Sequence, residues 1–294
     1  MTSRSGFLCI VGRPNVGKST LTNALVGEKV AITSKHPQTT RNTIRGVLTL
    51  TEPSRQFVFV DTPGLHRPRT ALGKRLNKLI YGSLSESDIA IFVLDATQQI
   101  GPGDRLVASR LQESGVETVV VVNKIDIASQ TQVAEQLAKA GLWDFSAYVP
   151  VSALHAAGLK ALMSELDSRL PEGPMYFPTG FHSDQPERFM VSELIREKYL
   201  KHLREELPHS VVVVTDEIKT RENGTVYVPA TVLVERESQK GIVIGKDGAM
   251  LSLVGKAARE ELEKIFSTEC FLDLRVRVEK DWQRREESLD RLGF

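Results

Sequence analysis

Residues 12–19 read GRPNVGKS, two glycines five positions apart followed by a lysine and a serine. Glycines at that spacing let the backbone curl so that N–H groups point inward at phosphate oxygens. Lys18 then reaches the outer phosphates, and Ser19 offers a hydroxyl to Mg2+. The apolar run FLCIV at 7–11 leads in and the helix-like STLTNALVG leads out, which aims a helix amino end at the same spot. Gly12, Arg13, Pro14, Asn15, Val16, Gly17, Lys18, Ser19 and Thr20 are together expected to wrap a polyphosphate.

Three further strings follow in order. DTPG at 61–64 ends the apolar run FVFV, placing Asp61 near the metal through water and the Gly64 N–H near a terminal phosphate, with Thr62 and Pro63 completing the turn. QTTR at 38–41 lies in a polar loop, where a threonine can join the metal shell only while that phosphate is present. Either string alone is an ordinary strand end or turn. NKID at 123–126 selects the base. Guanine presents two donors on one edge, and a fixed Asp126 carboxylate accepts both. Adenine presents an acceptor there and lacks the 2-amino group, so such a site rejects it by roughly 10⁴-fold. Asn123 and Lys124 would brace the loop and cover the base, and the string Ser152, Ala153, Leu154 would add a backbone donor. GTP or GDP with Mg2+ is the ligand these strings describe.

A second glycine loop, IVIGKDG at 242–248, lacks the lysine–serine ending, and no buried parallel strand leads into it. Gly-x-x-Gly between two helices is the pattern with which K-homology domains clamp single-stranded backbone. Gly245 and Gly248 permit close approach, and Ile242, Val243 and Ile244 are expected beside a base-holding groove. Asp247 partly cancels the charge of Lys246, so packing and hydrogen bonds should carry much of the affinity, with a modest salt slope.

The elements that must hold these loops fall into two groups. FLCIV, FVFV, IAIFVL and VVVV are continuous apolar runs separated by helix-like segments, the mark of strands covered on both faces in a doubly wound α/β domain. Ligands of such domains sit at the carboxyl ends of the strands. PEGPMYFPTGFHSDQP, from 171, is dense in Pro and Gly yet too apolar for a loose tether. The expected division is residues 1–172, a linker 173–187 lying along a surface, and an α+β domain 188–294. That last domain reads α-β-β-α-α-β: an amphipathic helix with Val191, Leu194, Ile195, Tyr199, Leu203 and Leu207 on one face, a hairpin about Asn223-Gly224, two helices flanking the loop, and the strand CFLDLRVRV. The second helix presents Leu251, Val254, Ala258, Leu262 and Ile265.

Composition narrows the class. With 41% hydrophobic and 26% charged residues the chain is of globular type, with neither a signal peptide nor a membrane-length apolar run, so a cytoplasmic location is expected. Two cysteines suit buried thiols better than a disulfide or metal site. Residues 1–183 carry 19 basic against 15 acidic side chains and the rest 19 against 22, so nucleic acid can be held only by a local patch. The basic clusters Lys74, Arg75, Lys78 and Arg284, Arg285 read as solvated helix faces, and Trp282 as a core anchor.

Together GRPNVGKST, QTTR, DTPGLH, NKID and SAL resemble the five nucleotide motifs of translation-factor-related GTPases. With the type II K-homology arrangement added, nearly the whole chain is similar to the bacterial ribosome-assembly GTPases. The resemblance implies GTP hydrolysis coupled to binding the 3′ end of small-subunit 16S ribosomal RNA and maturation of that subunit. It favours Thr40 over Thr39. No residue qualifies as a general base by sequence alone, so Lys18, Ser19, Thr40 and Asp61 are assigned to charge and metal management, with Lys18, Thr40 and Gly64 the expected catalytic residues. The resemblance also implies action as a monomer without DNA, and peripheral contact with the inner face of the membrane, for which the sequence shows no anchor. Asn15 matches an asparagine that helps hold K+ beside the phosphates; it equally well only shapes the loop. Leu65 stands where Ras-like enzymes carry a water-orienting glutamine, so water must be held by backbone, metal or partner. A passive RNA-binding scaffold with structural GTP is the rival reading.

Overall fold

The computed structural model describes residues 3–65, 68 and 70–294; Met1 and His66, the last residue of the DTPGLH string, lie outside them. The chain divides into two units, 1–69 with 73–184 and 70–72 with 185–294.

The first unit alternates strand and helix: β1 (Arg4–Val11), α1 (Lys18–Val26), β2 (Ile44–Leu50), β3 (Arg55–Asp61), α2 (Ala71–Ser85), β4 (Ile89–Asp95), α3 (Pro102–Ser114), β5 (Glu117–Asn123), α4 (Gln130–Gly141), β6 (Ala147–Val151) and α5 (Leu159–Arg169). Alternate residues of each apolar run point to opposite faces of one sheet. In β1, Leu8 and Ile10 enter one core layer and Cys9 and Val11 the other; in β5, Val119 and Val121 oppose Val120 and Val122. Each fully buried side chain of this size contributes about 1.5–3 kcal/mol. The strand order is β2-β3-β1-β4-β5-β6, parallel except for β2. β2 and β6 were not legible as apolar runs: both are edge strands, one interrupted by Gly46 and the other by Pro150, which an edge tolerates.

The stretch expected as a linker divides, 173–184 joining the first unit and 185–187 the second. Its first part is strapped down by backbone. The fully buried Gln56 donates to the Phe177 carbonyl (2.8 Å) and accepts from the N–H groups of Tyr176 (2.7 Å) and Phe177 (3.0 Å). Ser5 Oγ donates to the Pro174 carbonyl at 2.6 Å, and Val47 N–H to the His182 carbonyl at 2.9 Å. Tyr176 packs on Phe7, and Phe177 stacks on Phe181.

The second unit continues with α6 (Glu187–His202), α7 (Leu207–Ser210), β7 (Val212–Thr215), β8 (Lys219–Thr220), β9 (Val226–Val234), α8 (Glu237–Ile244), α9 (Ala249–Phe266), β10 (Cys270–Val278) and α10 (Glu286–Leu292). β9 is central, parallel to β10 and antiparallel to β7 and β8. Val226, Val228, Ala230, Val232 and Val234 face the helices, while Tyr227, Pro229, Thr231 and Leu233 face the other way, half-buried. Leu203 and Leu207 are buried but not on the α6 face: the helix ends at His202, before Pro208, and Leu207 opens α7. Ile265, expected on the core face of α9, is 48% exposed. Trp282 is fully buried, its indole N–H donating to the Ser210 carbonyl at 3.0 Å. Both cysteines are buried free thiols.

Candidate functional site

Loops from the carboxyl ends of β1, β3, β4, β5 and β6 surround a cleft of about 490 Å³ whose lining includes Lys18, Thr40, Gly64, Asn123, Asp126 and Leu154. The glycine loop keeps its shape because side chains are excluded at set points. Gly17 caps α1 at φ +99°, and a Cβ there would lie 2.3 Å from Asn123 Nδ2. A Cβ on Gly64 would lie 2.6 Å from the Pro14 nitrogen.

At one end of the cleft, Ser19 Oγ donates to Asp61 Oδ2 at 2.7 Å and lies 2.8 Å from Thr40 Oγ1, which stands 3.3 Å from the same carboxylate oxygen. Thr39 is turned away, its hydroxyl on the His36 carbonyl and the Ser34 hydroxyl. Asp61 Oδ1 is buried without a hydrogen-bond partner among the described residues. Burial pushes the Asp61 carboxyl up to about 6, against the pull of Lys18 and the two hydroxyls. Burial likewise pushes Lys18 down to about 8, opposed by Asp61. Lys18 Nζ donates to the carbonyls of Arg13 (3.0 Å) and Gly12 (3.3 Å). Three oxygen donors and one unpartnered carboxylate oxygen suit a hard divalent cation such as Mg2+.

At the other end, Asn123 joins two loops: its Nδ2 donates to the Val16 carbonyl at 2.9 Å and its Oδ1 accepts from Ala153 N–H at 3.0 Å. Lys124, at φ +68°, sends Nζ to the Asn15 carbonyl (2.7 Å) and to Asp95 Oδ2 (2.6 Å). Ser152 Oγ donates to Asp126 Oδ1 at 2.6 Å, fixing the carboxylate. Leu154 is 71% exposed at the rim, whereas Val16 and Ala153 are buried and present backbone only. Thr62 turns its hydroxyl to the Ile10 carbonyl, away from the cleft, and Pro63 is buried. Thr20 follows Ser19 on α1, half-buried. Asn15 Nδ2 donates to the Lys35 carbonyl at 2.8 Å. Leu65 is buried in a core layer and cannot orient water in the cleft.

Two residues of this cleft's framework were not read from the sequence. Asp95, at the end of β4, holds Lys124, and Asp104, in the first turn of α3, holds the Arg13 guanidinium. Strand-end and helix-start positions are the available signals; their partners lie 29 and 91 residues away.

In the second unit α8 ends at Gly245 (φ +77°), Lys246–Gly248 form one tight turn, and Gly248 caps α9. Ile242 is 56% exposed, Ile244 half-buried, and Lys246 and Asp247 exposed. Val243 corrects the expectation of a groove residue: it points inward, fully buried in the core. The groove that begins at this turn has about 520 Å³, with Gly248, Leu251, Gly255 and Arg259 along α9 on one wall and Phe271 and Leu274 of β10 on the other. Their three- and four-residue spacing on α9 marks a stripe beside the core stripe Val254, Ala258, Leu262.

Comparison with known proteins matches both units. A family described as "50S ribosome-binding GTPase" covers residues 7–124, and a KH domain family covers 206–283. The chain is 50% identical to GTPase Era of Mycobacterium avium (strain 104) over 99% of both chains, and equally so to that of Mycolicibacterium smegmatis. Two crystal structures align over 99% of both chains at 36% identity. One is Era in complex with MgGDPNP and nucleotides 1506–1542 of 16S ribosomal RNA, with a TM-score of 0.96. The other is a point variant of Aquifex aeolicus Era bound to GDP and aluminium fluoride, at 0.95. With one wall of nucleotide motifs, one K-homology groove and this similarity along its whole length, the chain belongs to the Era family of GTPases.

Proposed function

We propose that this protein hydrolyses GTP to GDP and phosphate, and that the bound nucleotide governs how its K-homology domain holds the 3′ end of 16S ribosomal RNA during small-subunit maturation. The carrying observation is the convergence of Ser19, Thr40 and Asp61 within 2.7–3.3 Å at one end of a cleft whose other end holds Asp126.

The N–H groups of the Gly12–Thr20 loop bind the phosphates. Lys18 leaves the Gly12 and Arg13 carbonyls for the outer phosphates, where its charge is favoured. Ser19, Thr40 and Asp61 hold Mg2+, which when bound neutralises charge on the phosphate oxygens. Asp126 accepts the two guanine donors, and Lys124 and Leu154 flank the base. Gly64 offers its N–H to the terminal phosphate. A water oxygen attacks that phosphorus in line as the bond to the bridging oxygen breaks. Among the described residues at the cleft, Asp61 is given to the metal, and Asp126, the carboxylate of the lining, lies at the base end. Proton removal is therefore left to phosphate and solvent, and catalysis rests on positioning and charge. Loss of the terminal phosphate releases Thr40 and its segment.

Asn15 supports a K+ role through its side-chain Oδ1, which has no hydrogen-bond partner among the described residues, while its Nδ2 is fixed on Lys35 and its main-chain carbonyl on Lys124. Turnover faster in K+ than in Na+ is expected; equal rates remove this role. No helix among the described residues is long and apolar enough to cross a membrane; action as a monomer with peripheral contact at the inner membrane face belongs to the proposal and rests on the family resemblance alone. The overall reading is tested by RNA affinity with GDP and with a non-hydrolysable GTP analogue, using oligonucleotides tiled across nucleotides 1506–1542 of 16S RNA. A difference of fivefold or more is expected; equal affinities leave only a passive scaffold.

A further inference from the structure

β10 is the edge strand of the second sheet, and its residues alternate between two surfaces. Cys270, Leu272 and Leu274 face α9, while Phe271, Asp273, Arg275 and Arg277 face the open side. Phe271 belongs to both: it lines the groove and is 50% exposed. The parallel register sets it beside Tyr227, and the two rings stack at 5.9 Å and 19°. The Arg221 guanidinium lies 4.8 Å from both ring centroids, carried there by the β8–β9 turn that its own N–H closes on the Thr225 carbonyl. Tyr227 is fixed from behind, its hydroxyl donating to Asp273 Oδ2 at 2.9 Å, the atom that Arg275 also holds.

We infer that Arg221, Tyr227 and Phe271 form a second RNA subsite, a stacking platform for a base of the strand that leaves the far end of the groove. This rests on the RNA-binding reading above. The groove wall from Gly248 to Arg259 is about 16 Å of helix, room for about four nucleotides. A longer strand must continue past one end, and the end remote from the glycine turn is the start of β10, where Cys270 N–H meets Glu263 near the close of α9. The next residue is Phe271. An RNA strand is favoured over a protein occupant because the platform continues a groove that already takes one. The flat paired rings with a guanidinium above them also suit any base. Charge adds little: Lys219 pairs with Glu217, Arg275 with Asp273 and Arg291 with Glu279. Arg277 has no carboxylate partner among the described residues and lines the same open-side hollow as Tyr227, which leaves it available to a following phosphate.

The test uses the intact protein, and tetranucleotides and octanucleotides tiled across the 16S segment named above, measured by fluorescence anisotropy. Stacking of one base contributes about 1–3 kcal/mol, so the best octanucleotide should bind at least about fivefold tighter than the tetranucleotide it contains. Arg221→Ala and Tyr227→Ala should cut that gain below threefold and leave tetranucleotide affinity unaltered, while Tyr227→Phe, which keeps the ring, should keep the gain. Arg221 is exposed, so its replacement tests the platform even where loss of the Tyr227 ring unfolds the sheet. An undiminished gain in Arg221→Ala with a native melting temperature overturns the inference, as does a wild-type octanucleotide that binds no better than its tetranucleotide. If no oligonucleotide of either length binds, the RNA-binding reading fails and the platform with it.

Discussion

The Arg13 guanidinium, in the second position of the phosphate loop, lies 2.7 Å from the buried Asp104 carboxylate in the first turn of α3. Its side chain therefore faces away from the nucleotide, while its carbonyl helps hold Lys18. The other Asp104 oxygen accepts the Gly101 N–H at 2.8 Å, capping α3. The loop is thus anchored to a helix start through one carboxylate. Asp104→Ala removes both the ion pair and the cap and should lower kcat/KM for GTP about tenfold, since charge-assisted bonds of this kind contribute about 1.5–3 kcal/mol. Steady-state turnover and melting temperature check this; unchanged turnover would show that the loop holds itself.

Asp61 and Lys18 make the nucleotide-free protein sensitive to pH. Burial raises the Asp61 carboxyl from 3.8 to about 6, so the folded state keeps that proton longer than the unfolded chain does. Stability should then fall as pH rises through that window. Lys18 is lowered from 10.5 to about 8, so the unfolded chain binds its proton more tightly, and stability should recover as pH rises above about 8. Asp61→Asn should abolish the acidic limb, leaving nucleotide-free melting temperature higher than wild type at pH 7. It should also lose the further stabilisation that Mg2+ gives with GDP. Thermal melts from pH 4 to 9 check both.

Base choice rests on a carboxylate that Ser152 holds at 2.6 Å. Asp126→Asn offers an amide where guanine needs two acceptors, so affinity should shift toward xanthine nucleotides. GTP affinity should fall by roughly 10²-fold or more and XTP affinity should rise. Competition binding of the two nucleotides decides it; unaltered guanine preference would remove Asp126 from the base site.

The nucleotide end of the molecule was legible because its chemistry is written in contiguous strings. Asn123, Lys124 and Asp126 occupy adjoining positions at the end of an apolar run, and the fold brings them to the phosphate loop through that strand alone. What joins strings across the sequence was not legible. Asp95 and Asp104 are single carboxylates at element ends, ordinary until the strand order places β4 beside β1. Val243 read as a groove residue because three apolar residues in a row cannot be sorted into inward and outward without the helix phase, which α8 supplies. The groove wall on α9 mixes Gly, Ser, Lys and Arg with Leu, and so looks like a solvated face until β10 lies opposite.

One buried amide makes the largest set of bonds to the strap on the first unit. Gln56 makes three hydrogen bonds to the backbone of Tyr176 and Phe177 and a fourth to Thr49. Gln56→Leu fills the space but leaves those backbone groups without partners, so stability should fall by about 2–3 kcal/mol. Proteolysis should then appear within 173–184, and GTP binding should be intact. Limited digestion followed by mass determination checks it.

In the glycine turn of the second unit, folding and binding can be separated. Gly245 sits at φ +77°, and a Cβ there would lie 2.7 Å from the Met250 nitrogen, so Gly245→Ala should destabilise the α8–α9 junction by about 1–2 kcal/mol or more. Lys246 is exposed, and Lys246→Asp places a second carboxylate beside Asp247 without touching the core. Its melting temperature should match wild type, while affinity for the 16S oligonucleotides should fall at least tenfold by repulsion of the phosphates. With only one lysine in the turn and Asp247 beside it, the wild-type salt slope should be shallow, on the order of one or two released counterions. A loss of RNA affinity in Lys246→Asp that vanishes at 0.5 M salt would fit this local repulsion, since the Debye length there is only about 4 Å. A loss that persists would mean that the substitution has disturbed the turn itself.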